Sequence, residues 1–156
     1  MDELQTTPIP EPYRDHDAGT TVKRLESQLL SLMRQKFQKY AEEILQLLKV
    51  ELEIKGDSEI VDYLIPGSTI KLTFNPQNEG YGLQVFDGRD FIFASPSEMS
   101  LESGSTIPLE EGMLQMSDTQ IRVSLELFKS ASEALHAHIA KKRQEFQEKL
   151  DLVSKY

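Results

Sequence analysis

The histidines are the first candidates for chemistry, because an imidazole can ligate a metal ion or move a proton near neutral pH. His136 and His138 lie two residues apart in a segment with helical periodicity. Their side chains would point about 200° apart, unlike the i, i+4 pair of a helical metal site. His16 lies between Asp15 and Asp17, in a flexible stretch of a kind that seldom holds a preformed site. We therefore expect no metal site.

The other short motifs are incomplete. Gly80 and Gly82 form a lone Gly-x-Gly without the third glycine or the following helix of a dinucleotide-binding loop. Residues 103–105 read Ser-Gly-Ser, which is not the Gly-x-Ser-x-Gly of a nucleophile elbow. The chain contains no cysteine, which excludes thiol nucleophiles, thiolate zinc sites and disulfides. No cofactor-binding residues are predicted.

A catalytic site would have to combine residues from separate segments, such as Tyr81, Arg89, Asp90 and the two C-terminal histidines. Composition gives no support for such an assembly. The adjacent Glu110 and Glu111 are typical of a solvated surface rather than of an acid–base pair. We predict that the protein is not an enzyme.

The N-terminal segment and the first helix are separated by a change in periodicity. Residues 1–21 contain three alternating prolines between positions 8 and 12, a spacing that favours extended polyproline geometry. They predict a disordered acidic tail, or else a short docking peptide. From Val22 the apolar residues recur at three- and four-residue steps, which is typical of one stripe on an α-helix. The spacing predicts a helix over 22–48.

Residues 49–94 predict an antiparallel meander of about five short strands. Strict apolar alternation over 49–55 indicates the first strand. Pro66-Gly67 is a turn signal. Asp87-Gly88 between two β-rich runs predicts a hairpin with a type I′ turn, because that turn needs positive φ at two positions.

The C-terminal third begins without clear periodicity and ends in a helix. Residues 95–117 predict an irregular acidic segment, with one short strand near Met113. Ser117 and Gln120 match a capping box, and a continuous stripe predicts a helix over 118–155. The alternative is a strand over 121–127. The predicted fold class is α+β: a single α-β-α domain over 22–156, with a long helix at each end.

The acidity of the chain is concentrated in its β-region. The net charge is −9, of which −8 lies in residues 56–117, −4 in residues 1–21, and +2 and +1 in the two helical segments. This distribution disfavours nucleic acid on the acidic face, because like charges repel. It predicts a surface for a basic protein partner, although an ordinary solvated surface is the alternative. The predicted partner-binding residues are Asp57, Glu59, Asp62, Glu79, Asp87 and Asp90.

The apolar stripes on the two helices predict self-association. A 26-residue stripe is about 39 Å long, and one small sheet would not cover two such stripes in a monomer. We therefore expect a homo-oligomer, a dimer in the simplest case. Along each predicted helix the basic residues and the acidic residues are grouped in separate blocks. This arrangement suits either antiparallel pairing between copies or parallel packing of the two helices within one chain. The predicted self-association residues are Leu25, Leu29, Phe37, Tyr40, Ile44, Leu135, Ile139, Phe146 and Leu150.

These features together predict a non-enzymatic interaction or assembly protein of the adaptor or chaperone kind. The order of elements resembles that of jellyfish-type chaperone subunits such as prefoldin, without a shared motif. The alternative is a small-ligand or sensory domain with a cavity lined by Phe74, Tyr81, Phe86, Phe91 and Phe93. No stretch is apolar enough for a membrane span, and the acidic N-terminus lacks the apolar region of a secretory signal. We expect a cytoplasmic protein.

Overall fold

The computed structural model describes residues 11–55, 60–75, 82–101 and 106–156. A long helix, a six-stranded sheet, a short helix and a second long helix follow one another along the chain, so the predicted α+β class is confirmed. The elements are α1 (Glu11–Gln46), a π-helical turn (Leu47–Glu51), β1 (Val61–Leu64), β2 (Ile70–Phe74), β3 (Leu83–Asp87), β4 (Asp90–Ala94), β5 (Glu98–Leu101), β6 (Ile107–Pro108), α2 (Leu109–Gln115) and α3 (Asp118–Ser154).

The start of α1 differs from the prediction. The helix begins at Glu11, so residues 11–21 are helical although they were predicted as part of a tail, while residues 1–10 lie outside the described residues. The sequence is compatible with the longer helix, because Pro12 stands in the first turn, where the missing N–H has no intrahelical partner to lose.

The predicted strand over 49–55 is wrong. The chain leaves α1 through the π-helical turn, where the Leu52 N–H donates to the Leu47 carbonyl at 3.1 Å and the Ile54 N–H to the Leu48 carbonyl at 2.9 Å. Glu53 has a positive φ of 54°, which ends the helical path. From this turn Leu52 and Ile54 pack against the core. Their alternating spacing is therefore satisfied without a strand, so tertiary packing overrides the strand pattern.

The sheet is a simple antiparallel meander with strand order β1-β2-β3-β4-β5-β6. The predicted turn at Pro66-Gly67 is confirmed, with Gly67 at φ 78° and the Ser68 N–H donating to the Ile65 carbonyl. The β3–β4 hairpin is also confirmed. Its two-residue loop is Gly88–Arg89, because Asp87 pairs with Asp90.

That loop is shifted by one residue from the prediction. Gly88 has φ 61°, whereas Arg89 does not have a positive φ. One positive φ at the first central position is the pattern of a type II′ turn rather than type I′.

The segment 95–117 is more ordered than predicted. It contains β5, β6 and α2, and residues 113–115 are helical rather than part of a strand. Gly112 explains how α2 approaches the sheet so closely, because a Cβ at this position would lie 2.6 Å from Cγ and Sδ of Met99. Periodicity does not reveal these elements, because the strands are short and the helix contains a glycine.

The predicted capping box and C-terminal helix are confirmed. The Ser117 hydroxyl accepts a hydrogen bond from the Gln120 N–H at 3.2 Å, and the Gln120 side-chain oxygen accepts one from the Ser117 N–H at 2.9 Å. Residues 121–127 lie within α3, which excludes the alternative strand.

The two long helices lie side by side and run parallel. Three contacts establish the direction: the rings of Phe37 and Phe128 are 5.5 Å apart, the Ser132 hydroxyl donates to Glu43 at 2.5 Å, and Arg143 pairs with Glu51 at 2.6 Å. The contacts advance along both helices together. This is the within-chain parallel arrangement that the charge blocks allowed.

The helical layer covers one face of the sheet, which we call the inner face. Side chains from α1, α3 and the central strands form one buried cluster there, and α3 contacts β3 and β4. The opposite face of the sheet is the outer face. The buried apolar strand residues of the inner face are Ile70, Leu72, Phe74, Leu83, Val85, Ile92, Ala94 and Met99.

Candidate interaction surfaces

The helices are offset along their common direction, so each extends past the other at one end. Phe37 contacts Phe128, but α1 starts at Glu11 and α3 only at Asp118. α1 therefore extends about 16 residues, or about 24 Å, beyond the start of α3. At the opposite end, α3 continues for about 11 residues, or about 16 Å, past the pairing of Arg143 with Glu51.

The N-terminal half of α1 carries an apolar stripe that is exposed, beginning on the projecting part and continuing past the level at which α3 starts. Val22, Leu25, Leu29 and Leu32 retain between 43% and 55% of their accessible surface. Leu25 lies 18 residues before Glu43, which is five full turns, so it is on the same side of α1. Glu43 accepts a hydrogen bond from α3, but Lys36, which lies between the stripe and Glu43 on the same side, is exposed, so α3 covers this side of α1 only in part.

The end of α3 extends the side of that helix that contacts α1. Phe146 and Leu150 lie five turns beyond Phe128 and Ser132, the two residues through which α3 contacts α1. Phe146 and Leu150 are 63% and 60% exposed. They line a shallow groove of about 500 Å³ that also includes Ile139, Arg143 and Glu51. The α1-facing side of α3 thus continues as an exposed apolar stripe.

The predicted self-association residues therefore separate into two sets. Leu25, Leu29, Phe146 and Leu150 are exposed at or next to the projecting ends. The other five belong to the interior of the same chain, and their assignment to self-association is corrected. They lie in the interior that the two helices enclose together with the sheet. These buried or half-buried residues are Phe37, Tyr40, Ile44, Leu135 and Ile139.

The predicted set of self-association residues omits three apolar residues of the same stripes. Val22 and Leu32 belong to the exposed stripe of α1, and Val153 to that of α3. Their signal was available, because they lie on the same three- and four-residue spacing as the residues that were chosen.

An aromatic row lies on the outer face of the sheet. Phe86 and Phe91 are paired across the β3–β4 hairpin, with ring centroids 4.6 Å apart in a stacked arrangement. The ammonium group of Lys71 lies 5.1 Å from the Phe86 centroid. Phe93 is on the same face and is half-buried. The row thus shows a cation packed on an aromatic side chain.

The five aromatic residues that were expected to line one cavity do not share one location in the structure. Phe74 is buried in the core, Tyr81 lies outside the described residues, and Phe86, Phe91 and Phe93 lie on the face away from the helices. Their position follows from strand alternation, since they have the opposite parity to the buried residues of the same strands.

The acidic residues do not form a single cluster. Asp57, Glu59 and Glu79 lie outside the described residues. Asp87 and Asp90 are opposite each other at the end of the hairpin, and the Asp87 carboxylate accepts a hydrogen bond from Thr69 at 2.6 Å. Asp62 is exposed on the outer face of β1 and accepts one from Thr73, also at 2.6 Å.

The C-terminal histidines point to different neighbours, as their spacing predicted. His136 lies 3.8 Å from the Glu43 carboxylate on α1. His138 lines a groove of about 340 Å³ between α3 and the β1–β2 turn, which includes Pro66 and Lys142. Within the described residues, no group of three or more His, Asp or Glu side chains is placed to hold a metal ion.

One titratable group in the described part of the chain has a clearly shifted pKa. Burial raises the pKa of Tyr63 above the ordinary value of a tyrosine phenol, because desolvation disfavours the phenolate. Tyr63 pairs with Leu72 and packs against the core from β1. The phenol therefore acts as a core side chain with a polar end.

Comparison with known proteins identified no matching family model, no matching curated protein and no matching solved structure. The similarity in element order to prefoldin subunits therefore stays an analogy. No helix in the described ranges is long and apolar enough to cross a membrane.

Proposed function

We propose that this protein is a non-enzymatic assembly protein that associates with its own copies through the projecting ends of α1 and α3. The observation that carries the proposal is the location of the exposed apolar residues. Four of the large ones lie on α1 between residues 22 and 32, and four lie on α3 after residue 145. Contiguous apolar surface of this kind is typical of interaction sites.

The periodicity of these ends supports a helical partner. The exposed residues recur at the three- and four-residue steps of an amphipathic helix, and on α3 Phe146 and Leu150 continue the side that contacts α1 in the central segment. A helix of another copy offers the same chemistry and geometry. An apolar side chain that passes from full exposure to full burial contributes about 1.5–3 kcal/mol, so several of these residues must be covered together to offset the translational and rotational freedom lost on association.

Light scattering at micromolar concentration tests this proposal. We expect more than one chain per particle in the unmodified protein, and a reduced mass for Leu25→Lys combined with Leu29→Lys. The matched control is Ser27→Lys combined with Ser31→Lys, which places the same charges on exposed positions of the same helix outside the stripe. A monomeric unmodified protein, or an equal loss of mass in the control, would contradict the proposal.

We further propose that the outer face of the sheet contacts a basic protein partner. Asp62 and Glu98 are exposed at the two sides of the outer aromatic row, and Lys71 on Phe86 shows that the row accommodates a cation. A basic segment would combine charge attraction with contacts to the rings.

Calorimetric titration with a short Arg-rich peptide, and with its Glu-substituted counterpart, tests this second proposal. We expect binding of the Arg-rich peptide only, weakening as salt rises because surface charges are screened. Asp62→Asn with Glu98→Gln should weaken binding, whereas Asp118→Asn with Glu126→Gln on α3 should not. Equal binding of both peptides would argue against an electrostatic surface.

A further inference from the structure

One line of side chains on the outer face crosses four neighbouring strands. The register of the sheet places Lys71 of β2 between Leu64 of β1 and Phe86 of β3, and it pairs Phe86 with Phe91 of β4. All four alternate with the core-facing residues of their strands, so they share the outer face. Because β2 and β4 flank β3 on opposite sides, Lys71 and Phe91 approach the Phe86 ring from opposite sides.

Both sides of the Phe86 ring are therefore occupied by side chains of the same molecule. On one side the ring stacks with that of Phe91, with the centroids 4.6 Å apart. On the other side the ammonium group of Lys71 lies 5.1 Å from the Phe86 centroid. A cation that belongs to another molecule can reach this face of Phe86 only by taking the place of Lys71.

Lys71 is held by the ring and not by a carboxylate. It makes no ion pair with any residue of the chain that the structure describes, although segment 56–117 carries a net charge of −8 and has Arg89 as its other basic residue. The exposed Asp62 on the same face accepts a hydrogen bond from Thr73 instead. Since Lys71 is exposed and has no ion pair to lose, its side chain can leave the ring at little cost.

We propose that an arginine of the basic partner replaces Lys71 on the Phe86 ring, so that Lys71 is an internal competitor for the partner-binding site. This inference rests on the proposed contact between the outer face and a basic partner. It adds the contact residue, the chemistry of the partner and a limit on the affinity. Arginine suits the exchange, because its planar guanidinium stacks on aromatic faces and is more weakly hydrated than an ammonium group. A partner lysine would exchange one ammonium group for another.

Calorimetric titration with the Arg-rich peptide tests the exchange on two variants that change the charge equally. Lys71→Gln removes the cation at the ring, and Arg89→Gln removes the other basic residue of the segment, in the exposed loop of the β3–β4 hairpin. We expect Lys71→Gln to bind the peptide about two- to fivefold more tightly than the unmodified protein, as the release of an exposed cation–π contact implies. Arg89→Gln should gain less. If Lys71→Gln gains no more than Arg89→Gln, or binds more weakly than the unmodified protein, the inference is overturned.

A variant without the aromatic ring shows whether the gain depends on Phe86. Phe86→Leu keeps an apolar side chain on the outer face and removes the aromatic face. In this background, Lys71→Gln should gain no more than Arg89→Gln does, and a larger gain would contradict competition at the ring.

A Lys-rich peptide of the same length and charge tests the preference for arginine. The unmodified protein should bind it more weakly than the Arg-rich peptide, and Phe86→Leu should bind the two peptides equally. Equal affinity of the unmodified protein for both peptides would overturn the assignment of arginine.

The position of the Lys71 side chain can also be followed by NMR. The ring current of Phe86 should shift the ε-methylene protons of Lys71 upfield in the free protein, and saturation with the Arg-rich peptide should return them towards the values of an exposed lysine. If the peptide binds while these resonances stay shifted, the exchange is overturned and the basic-partner proposal stands. If neither the unmodified protein nor Lys71→Gln binds the peptide, both the basic-partner proposal and the exchange are wrong.

Discussion

The central segments of the two long helices and their projecting ends have the same apolar pattern but different surroundings. Phe128 is fully buried, whereas Phe146, five turns farther along the same side of α3, is 63% exposed. The difference arises from the parallel offset of the helices, because α1 has ended before it reaches the level of Phe146. An apolar stripe therefore indicates that a helix needs a partner, but not whether that partner belongs to the same chain.

The two regions should accordingly contribute to different free energies. The central segments contribute to the free energy of unfolding, because their side chains leave water when the chain folds. The projecting ends stay in water in the single chain, so their apolar surface contributes when another molecule covers it.

Alanine at the two equivalent phenylalanines should give the largest contrast. We expect Phe128→Ala to lower the free energy of unfolding by about 3–5 kcal/mol, through lost burial and the cavity beside Phe37. Phe146→Ala should change it by less than about 1 kcal/mol, as for most exposed positions. Urea unfolding of both variants at low protein concentration measures the difference. Equal losses would show that the end of α3 is covered in solution by its own chain.

A smaller effect is expected at the boundary between the two regions, where Arg143 pairs with Glu51. Both side chains are well exposed, and exposed ion pairs contribute at most about 1 kcal/mol. A double-mutant cycle with Arg143→Gln and Glu51→Gln should give a coupling energy in this range that falls as salt rises. A larger, salt-independent coupling would mean that the boundary is buried, and would move the covered region farther along α3.

The smallest expected effect is the pH dependence of the free energy of unfolding, which compares a tyrosine that packs against the core with an exposed one. Burial raises the pKa of Tyr63, whereas Tyr156 is fully exposed. Above about pH 10, Tyr63 ionises in the unfolded chain before it does so in the folded one. The unfolded state then binds fewer protons, so the free energy of unfolding falls as pH rises.

Urea midpoints of the unmodified protein, Tyr63→Phe and Tyr156→Phe between pH 9 and pH 11 measure this contribution. Tyr63→Phe should reduce the alkaline loss of stability, and Tyr156→Phe should leave it unchanged. If Tyr156→Phe reduces the alkaline loss of stability more than Tyr63→Phe does, the prediction that the loss arises at Tyr63 is wrong.

Local signals predicted the elements whose structure depends on near neighbours. The Ser117–Gln120 capping box and the glycine turns at Gly67 and Gly88 were predictable, because each depends on residues within one turn of the chain. The strand predicted over 49–55 is wrong because Leu52 and Ile54 pack against the core from a helical turn, and Glu53 adopts a positive φ. The approach of α2 to β5 depends on Gly112 beside Met99, a contact that no local pattern shows.

The residues of the candidate surfaces were likewise predictable where they depend on local spacing, and not where they depend on distant contacts. The spacing of Leu25, Leu29, Phe146 and Leu150 identified residues that the structure leaves exposed, but it could not separate them from Phe37 or Leu135. The outer position of Phe86 and Phe91 depends on strand parity relative to a core that must first be located. Once the β3–β4 hairpin and the buried partners of these residues were known, their face was determined.

The sequence by itself determined the α+β class, the apolar sides of both helices and the concentration of acid in the β-region, because periodicity and charge are properties of neighbouring residues. Only the tertiary structure decided which part of each apolar side is covered. That outcome depends on the direction and offset of two helices more than sixty residues apart in the chain, which the packing of both against one sheet sets.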